Sequence, residues 1–247
     1  MFRSLAALGA ALATVAVAAE TASAAGGLSV SPSRLETTAR SGASGSVTIT
    51  NTSTRKLKVT VRARPWRQAS SGTVAANRSR TLGSVRLTPS KFTLARGASR
   101  TVTVTLRRVP ARRSLYGALD ILGKPAKRRK GINVAYRLVS SLRFNPAAGK
   151  RKLRLSAGSA SGSNRMLTLR VKNRGNTVDP VGGTVSITGP GGGKSGGINP
   201  VGIVPGKSIR LKLLSLSGMR KGRYTAAITL AQAGRNIVSV TRHFRIR

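Results

Sequence analysis

The chain contains no cysteine, so no disulfide can hold it together and stability must come from core packing alone. Acidic residues are nearly missing, with four Asp and Glu against 45 Lys and Arg. Beyond residue 24 only Glu36, Asp120 and Asp179 remain, widely separated. That spacing excludes the paired carboxylates of glycoside hydrolysis and the oxygen-rich cluster of a calcium site. Histidine occurs once, at His243, with neither a second histidine nor a nearby carboxylate to build a zinc site or a catalytic triad. Aromatic residues make up 3% of the chain, too few for the stacking platforms of single-strand nucleic-acid binders. The composition therefore describes a non-enzymatic protein without cofactor or metal, and it argues against sequence-specific nucleic-acid binding.

What is present begins with a targeting pattern. Arg3 precedes the apolar run LAALGAALATVAVAA, and the small residues Ala22, Ser23 and Ala24 follow as a cleavage site. Residues 1–24 are thus expected to be a signal peptide that directs export, to the periplasm or the cell surface. The apolar run is too short for a spanning helix, and no second run of spanning length follows, so no transmembrane anchor is expected in the mature chain. The net charge of +41 finds almost nothing within the chain to neutralise it. Acidic partners are attracted over a Debye length of about 10 Å. Anionic cell-envelope polymers are the natural candidates.

Alternation with period two dominates the rest. In LKVTVRAR, Leu57, Val59, Val61 and Ala63 alternate with Lys58, Thr60, Arg62 and Arg64. Val102, Val104 and Leu106 form one face of RTVTVTLR, and Leu167, Leu169 and Val171 one face of MLTLRV. Such runs are half-buried antiparallel strands, and Gly, Ser, Pro and Asn clusters separate them. The chain also looks duplicated. FTLARGASRTVTVTL before SLYGALDIL parallels VGIVPGKSIRLKLL before GRYTAAITL. Gly97 precedes Tyr116 by 19 residues, and Gly206 precedes Tyr224 by 18. Upstream, Asn51 and Asn173 each end a strand-like run. The fold class expected is all-β, with two tandem immunoglobulin-like β-sandwich domains, residues 25–146 and 147–247, after the signal peptide.

Three motifs suggest chemistry; two fail on context and the third stays open. GPGGGKSGG, residues 189–197, lies between two strands and has no helix to supply a phosphate-binding N-terminus, so it reads as a hairpin loop. Ser53 and Lys56 have S-x-x-K spacing, but in a turn rather than on a helix. The loop GKPAKRRKG concentrates Lys124, Lys127, Arg128, Arg129 and Lys130 between two strands. It is either an anion-contacting loop or a solvated charge run.

The order SPSRL, VTITN, ARPW, LTPSKFTLARG, SLYGALDIL and INVAYRLVSSLRFNP resembles the N-terminal domain of the periplasmic chaperones of pilus assembly. That resemblance implies a protein that binds an unfolded subunit by donating a strand edge, a form of β-augmentation. It places the family's cleft arginine at Arg34 and the donor strand at residues 101–109, with Val102, Val104 and Leu106 as donor side chains. Where the family carries a cleft lysine this chain has Ser141, with Arg143 two residues on. The resemblance implies that such cations hold a subunit's terminal carboxylate. Gram-positive surface proteins that bind wall polymer begin with a similar sandwich. Two functions are thus expected to compete: a chaperone-like subunit binder of pilus or surface-structure assembly, and a basic surface protein that binds cell wall or another anionic polymer.

Overall fold

A computed structural model describes residues 22–23, 26–127, 130–163, 165–190 and 192–247. The expected signal peptide lies outside the described residues except for Ala22 and Ser23. Eighteen strands and one short 3-10 turn, Ala148–Lys150, make up the described secondary structure. Two separate hydrophobic clusters form, one drawn from Leu28 to Phe144 and the other from Leu155 to Phe244.

The first cluster fills a sandwich of two sheets. Strands β1 (Ala22–Ser23), β2 (Leu28–Ser31), β4 (Ser44–Asn51), β7 (Val85–Thr88) and β9 (Ser99–Leu106) form one, in the order β1-β2-β4-β9-β7. The other has the order β3-β11-β10-β5-β6. It contains β3 (Arg34–Thr38), β5 (Leu57–Gln68), β6 (Val74–Ala76), β10 (Leu115–Pro125) and β11 (Tyr136–Asn145), and β8 (Lys91–Leu94) also pairs with β5. Each sheet turns alternate apolar side chains inward, which is what the period-two sequence dictates. Burying one such Val, Leu or Ile is worth about 1.5–3 kcal/mol.

The second cluster sits between the sheet β12-β13-β16 and the sheet β15-β14-β17-β18. The strands are β12 (Leu155–Ser163), β13 (Met166–Asn173), β14 (Pro180–Thr188), β15 (Lys194–Gly202), β16 (Ser208–Ser215), β17 (Gly222–Gln232) and β18 (Arg235–Ile246). Arg242, which breaks the apolar face of β18, donates from Nε to the Gly158 carbonyl (2.9 Å) and from Nη2 to the Ala157 carbonyl (3.1 Å). These carbonyls lie where the β12–β13 register slips. Of the glycine-rich segment, Gly189, Pro190, Gly192 and Gly193 lie between β14 and β15, Lys194–Gly197 already belong to β15, and Gly191 lies outside the described residues.

The duplication is physical. Buried Asn51 donates from Nδ2 to the carbonyls of Arg55, Leu94 and Ala95, and its Oδ1 accepts from the Ser53 amide. Buried Asn173 donates from Nδ2 to the carbonyls of Thr177 and Ile203, and its Oδ1 accepts from the Gly175 amide. The backbone repeats as well: Gly97 N–H donates to Asn51 O at 2.9 Å, and Gly206 N–H to Asn173 O at 2.8 Å. Both glycines have positive φ, 71° and 83°, a conformation that costs a residue with a Cβ. Each asparagine thus ties the end of one strand to the turn of a distant hairpin.

Among the described residues, hydrogen bonds join the sandwiches at two places. The β5–β6 hairpin tip reaches the second one, where Gln68 Nε2 donates to Gly202 O (2.8 Å) and Gln68 Oε1 accepts from Val204 N–H (2.9 Å). Arg210 N–H on β16, a terminal strand of its sheet, donates to Ser70 O at 2.7 Å. On the other side, Asn176 Nδ2 donates to Arg112 O and Tyr116 Oη donates to Asn176 O.

Candidate partner-binding face

The sheet β3-β11-β10-β5 turns one face into the first core and the other outward. Alternation puts Arg34 and Glu36 of β3 on the outer face, with Arg137, Val139, Ser141 and Arg143 of β11. Tyr116, Asp120 and Lys124 of β10 and Lys58, Arg62, Arg64 and Trp66 of β5 complete it. Registers bring Ser141 opposite Arg34, and Arg143 opposite Glu36. On this face the Trp66 ring stacks on Tyr116 with centroids 6.0 Å apart, and the Arg143 guanidinium lies 5.7 Å from the Trp66 centroid. Burial pushes the Tyr116 phenol up to about 12.

The resemblance-derived pair Arg34 and Arg143 is brought together on this face. Burial, then the charge of Arg34, presses the Arg143 guanidinium below its ordinary range, against the opposing pull of Glu36. Arg143 Nε and Ser141 Oγ are buried without a hydrogen-bond partner. Two guanidiniums thus stand near one another on this face, with Glu36 across from Arg143.

The proposed donor residues are a correction. Val102, Val104 and Leu106 are 0% exposed, and β9 pairs with β4 over Ser99–Thr105 and with β7 over Thr103–Leu106. Their side chains fill their own core, so they are not available to enter a partner. A donor strand and an inner core strand share the same alternation, so alternation alone does not separate them.

An open edge occurs elsewhere. Strand β11 pairs with β10 over Tyr136–Phe144 but with β3 only from Ser141 onward. Among the described residues no strand pairs with the outer edge of Tyr136–Ser140. Just before it, Ile132 is 88% exposed and Val134 50%, and both keep the parity of Tyr136 and core-facing Leu138. In sequence the apolar alternation of β11 continues back to Ile132, through residues 132–135 that are not in a strand. The signal was legible as the alternation in INVAYRL. Tyr136 itself packs so closely over Gly27 that a Cβ there would come within 1.9 Å of its ring.

Asp120 lies 3% exposed at the centre of the face. Arg137 grips it with two bonds, Nε to Oδ1 at 2.7 Å and Nη2 to Oδ2 at 2.9 Å, and Arg64 Nε approaches Oδ2 at 3.6 Å. Burial pushes the carboxyl up, but the hydrogen bonds from Arg137 and the charges of Arg137, Arg64 and Arg78 outweigh it and hold Asp120 below its usual value. The other two carboxylates are engaged too: Glu36 accepts from Asn145, and Asp179 pairs with Arg151 and Thr177. Of the basic loop, Lys124 ends up on β10, while Lys127 and Lys130 are exposed beyond it. Arg128 and Arg129 lie outside the described residues. No group of three or more potential ligands stands close enough to hold a metal among the described residues. None of their helices is long and apolar enough to cross a membrane.

No family model matches the chain, and no curated protein does. Solved structures do match. The chain is similar to the class 5 fimbriae chaperone CfaA, at 14% identity and a TM-score of 0.53, covering 88% of this chain and 98% of that one. It is similar to a chain of a chaperone–tip adhesin complex of CFA/I fimbriae biogenesis, at 15% identity and a TM-score of 0.52, with the same coverage. The two-sandwich immunoglobulin-like fold of fimbrial chaperones is therefore the fold of this chain.

Proposed function

We propose that this chain is an exported, non-enzymatic, chaperone-like binder of protein subunits, acting by strand addition. The observation that carries the reading is the unpaired edge Tyr136–Ser140 with exposed Ile132 and Val134 ahead of it. An extended partner segment adds to that edge through main-chain hydrogen bonds, while the alternating apolar residues enter the partner. Arg34 and Arg143 hold a carboxylate at one end of the added strand. Residues 25–146 supply this binding unit and residues 147–247 the second sandwich that braces it. The fold shared with the CfaA chaperone and with the chaperone–adhesin complex supports the reading.

The test uses the mature protein as bait against the envelope fraction of its source, washed at high salt. Ile132→Asp with Val134→Asp, both at exposed positions, is expected to abolish retention of a protein partner without changing thermal stability. Arg34→Ala is expected to weaken it. Undiminished retention in the Ile132/Val134 variant refutes strand addition at this edge.

A second reading, binding of an anionic envelope polymer, is favoured by one specific observation. All three carboxylates beyond residue 24 are engaged, so the basic surface meets no free negative charge of its own.

A further inference from the structure

The geometry points to a two-part groove on the first sandwich that binds a linear phosphate-bearing polymer without stacked bases, a site that rests on the second reading above and gives it a place. The first part is a cavity of about 500 Å³ on the outer face of β5, β10 and β11. Lys58, Arg62, Lys124 and Arg137 line it, with Thr60 among them. The single carboxylate present, Asp120, is already bound by Arg137 and neighbours Arg64, so it leaves the cavity strongly positive. The second part, about 460 Å³, adds Arg55, Lys56 and Lys127 with the hydroxyls of Thr54 and Thr93. Lys58, Pro125 and Ala126 line both parts, so they form one track.

The strands set the spacing of this track. Alternate residues on one face stand about 6–7 Å apart, so Lys58, Thr60 and Arg62 offer donors at regular intervals along β5. A chain with regularly repeated anions matches that ladder, whereas a lone small anion uses one rung. Guanidinium forks, ammonium groups and hydroxyls all line the track, and together they offer enough donors for the several acceptor oxygens of tetrahedral phosphate. No aromatic residue lines either part. Trp66 and Tyr116 stack on each other elsewhere on the face. Sequence-tolerant nucleic-acid grooves stack bases on aromatic side chains, so this track fits a polymer whose repeats are bare phosphates, such as a polyol phosphate or polyphosphate.

A chain of charge +41 binds any polyanion to some extent, so the test separates site from charge. The probe is inorganic polyphosphate of fixed length, followed by fluorescence anisotropy over a salt series. The groove variant is Lys58→Gln, Arg62→Gln and Lys124→Gln, all exposed positions. The control removes equal charge from the second sandwich, with Lys172→Gln, Arg223→Gln and Arg235→Gln, also exposed. Loss of three phosphate contacts is expected to flatten the log–log salt slope by about 2 and to weaken binding at least about tenfold at low salt, with a much smaller loss in the control. Equal losses in both variants overturn the site and leave only diffuse attraction. Single-stranded DNA or polyglutamate of matched charge binding as tightly, with the same sensitivity to the groove variant, overturns the ligand class. The Ile132/Val134 variant is expected to bind polyphosphate normally, so failure of strand capture and failure of this site are told apart.

Discussion

Asp120→Asn tests the electrostatics of the outer face most directly. The substitution keeps the shape and removes the only negative charge between Arg64 and Arg137. Arg137 is about one-third exposed, so water replaces much of what it loses. Arg64 is only 6% exposed and is the charge left stranded. Removing one partner of a buried ion pair costs about 3–5 kcal/mol. Arg64 keeps one hydrogen bond, from Nη1 to Arg80 O at 2.9 Å, which places the cost near the lower end, about 3 kcal/mol. For a domain of this size that is a fall in melting temperature of roughly 10 °C, measurable by circular dichroism. Adding Arg64→Met removes the stranded charge and is expected to restore most of the loss, as a double-mutant cycle shows. The pH dependence has a fixed sign. The folded carboxyl titrates below its unfolded value of about 3.9, so its contribution is complete above that pH and is lost as pH falls through the lower folded value. The acid limb of the stability curve should therefore be shallower in Asp120→Asn. A cost below about 0.5 kcal/mol, or no recovery with Arg64→Met, refutes the argument.

Val104→Asp puts a charge where exposure is zero, so the first sandwich is expected to unfold, seen as lost melting cooperativity and rapid proteolysis; a folded variant would contradict the core placement of β9. Loss of partner binding in that variant reports unfolding, whereas in Ile132→Asp it reports the edge. Asn51→Leu and Asn173→Leu each strand buried carbonyls and an amide, at about 1–3 kcal/mol per unsatisfied group. Each is expected to lower the melting transition of its own sandwich by a similar amount, and a loss confined to one of the two would show that the clamps are not equivalent.

The alternation of LKVTVRAR, RTVTVTLR and MLTLRV was enough to place β5, β9 and β13, because a half-buried strand needs only local pattern. The repeated asparagines were legible for the same reason, since each stands at the end of its run. Pairing partners were not legible. Whether β9 is an edge depends on β4, far upstream in the sequence, and on β7, and neither leaves a mark on the sequence of β9 itself. The edge that is open follows a basic loop, and nothing in its own sequence marks it as unpaired, although Ile132 and Val134 carry the alternation ahead of it. Charge is legible in sequence only where it is contiguous. The run Lys127–Lys130 drew attention as a cluster in sequence, while Lys58, Arg62 and Arg137 meet only across hydrogen-bonded strands and look in sequence like the polar half of an alternation.

The hairpin tip that reaches across to Arg210 has a consequence for how the chain is made. Strand β16 ends its sheet, and a bare strand end is a template on which other chains can pair and aggregate. Ser70 occupies one of its outward amides, and Arg210 and Lys212 add charge along the rest. The shield belongs to the first sandwich and the vulnerable edge to the second. During synthesis the shield emerges first, so the edge can meet its cover as it forms. The second sandwich cut free would emerge without that guard, and the hairpin thus serves as a built-in escort for the half of the protein that follows it.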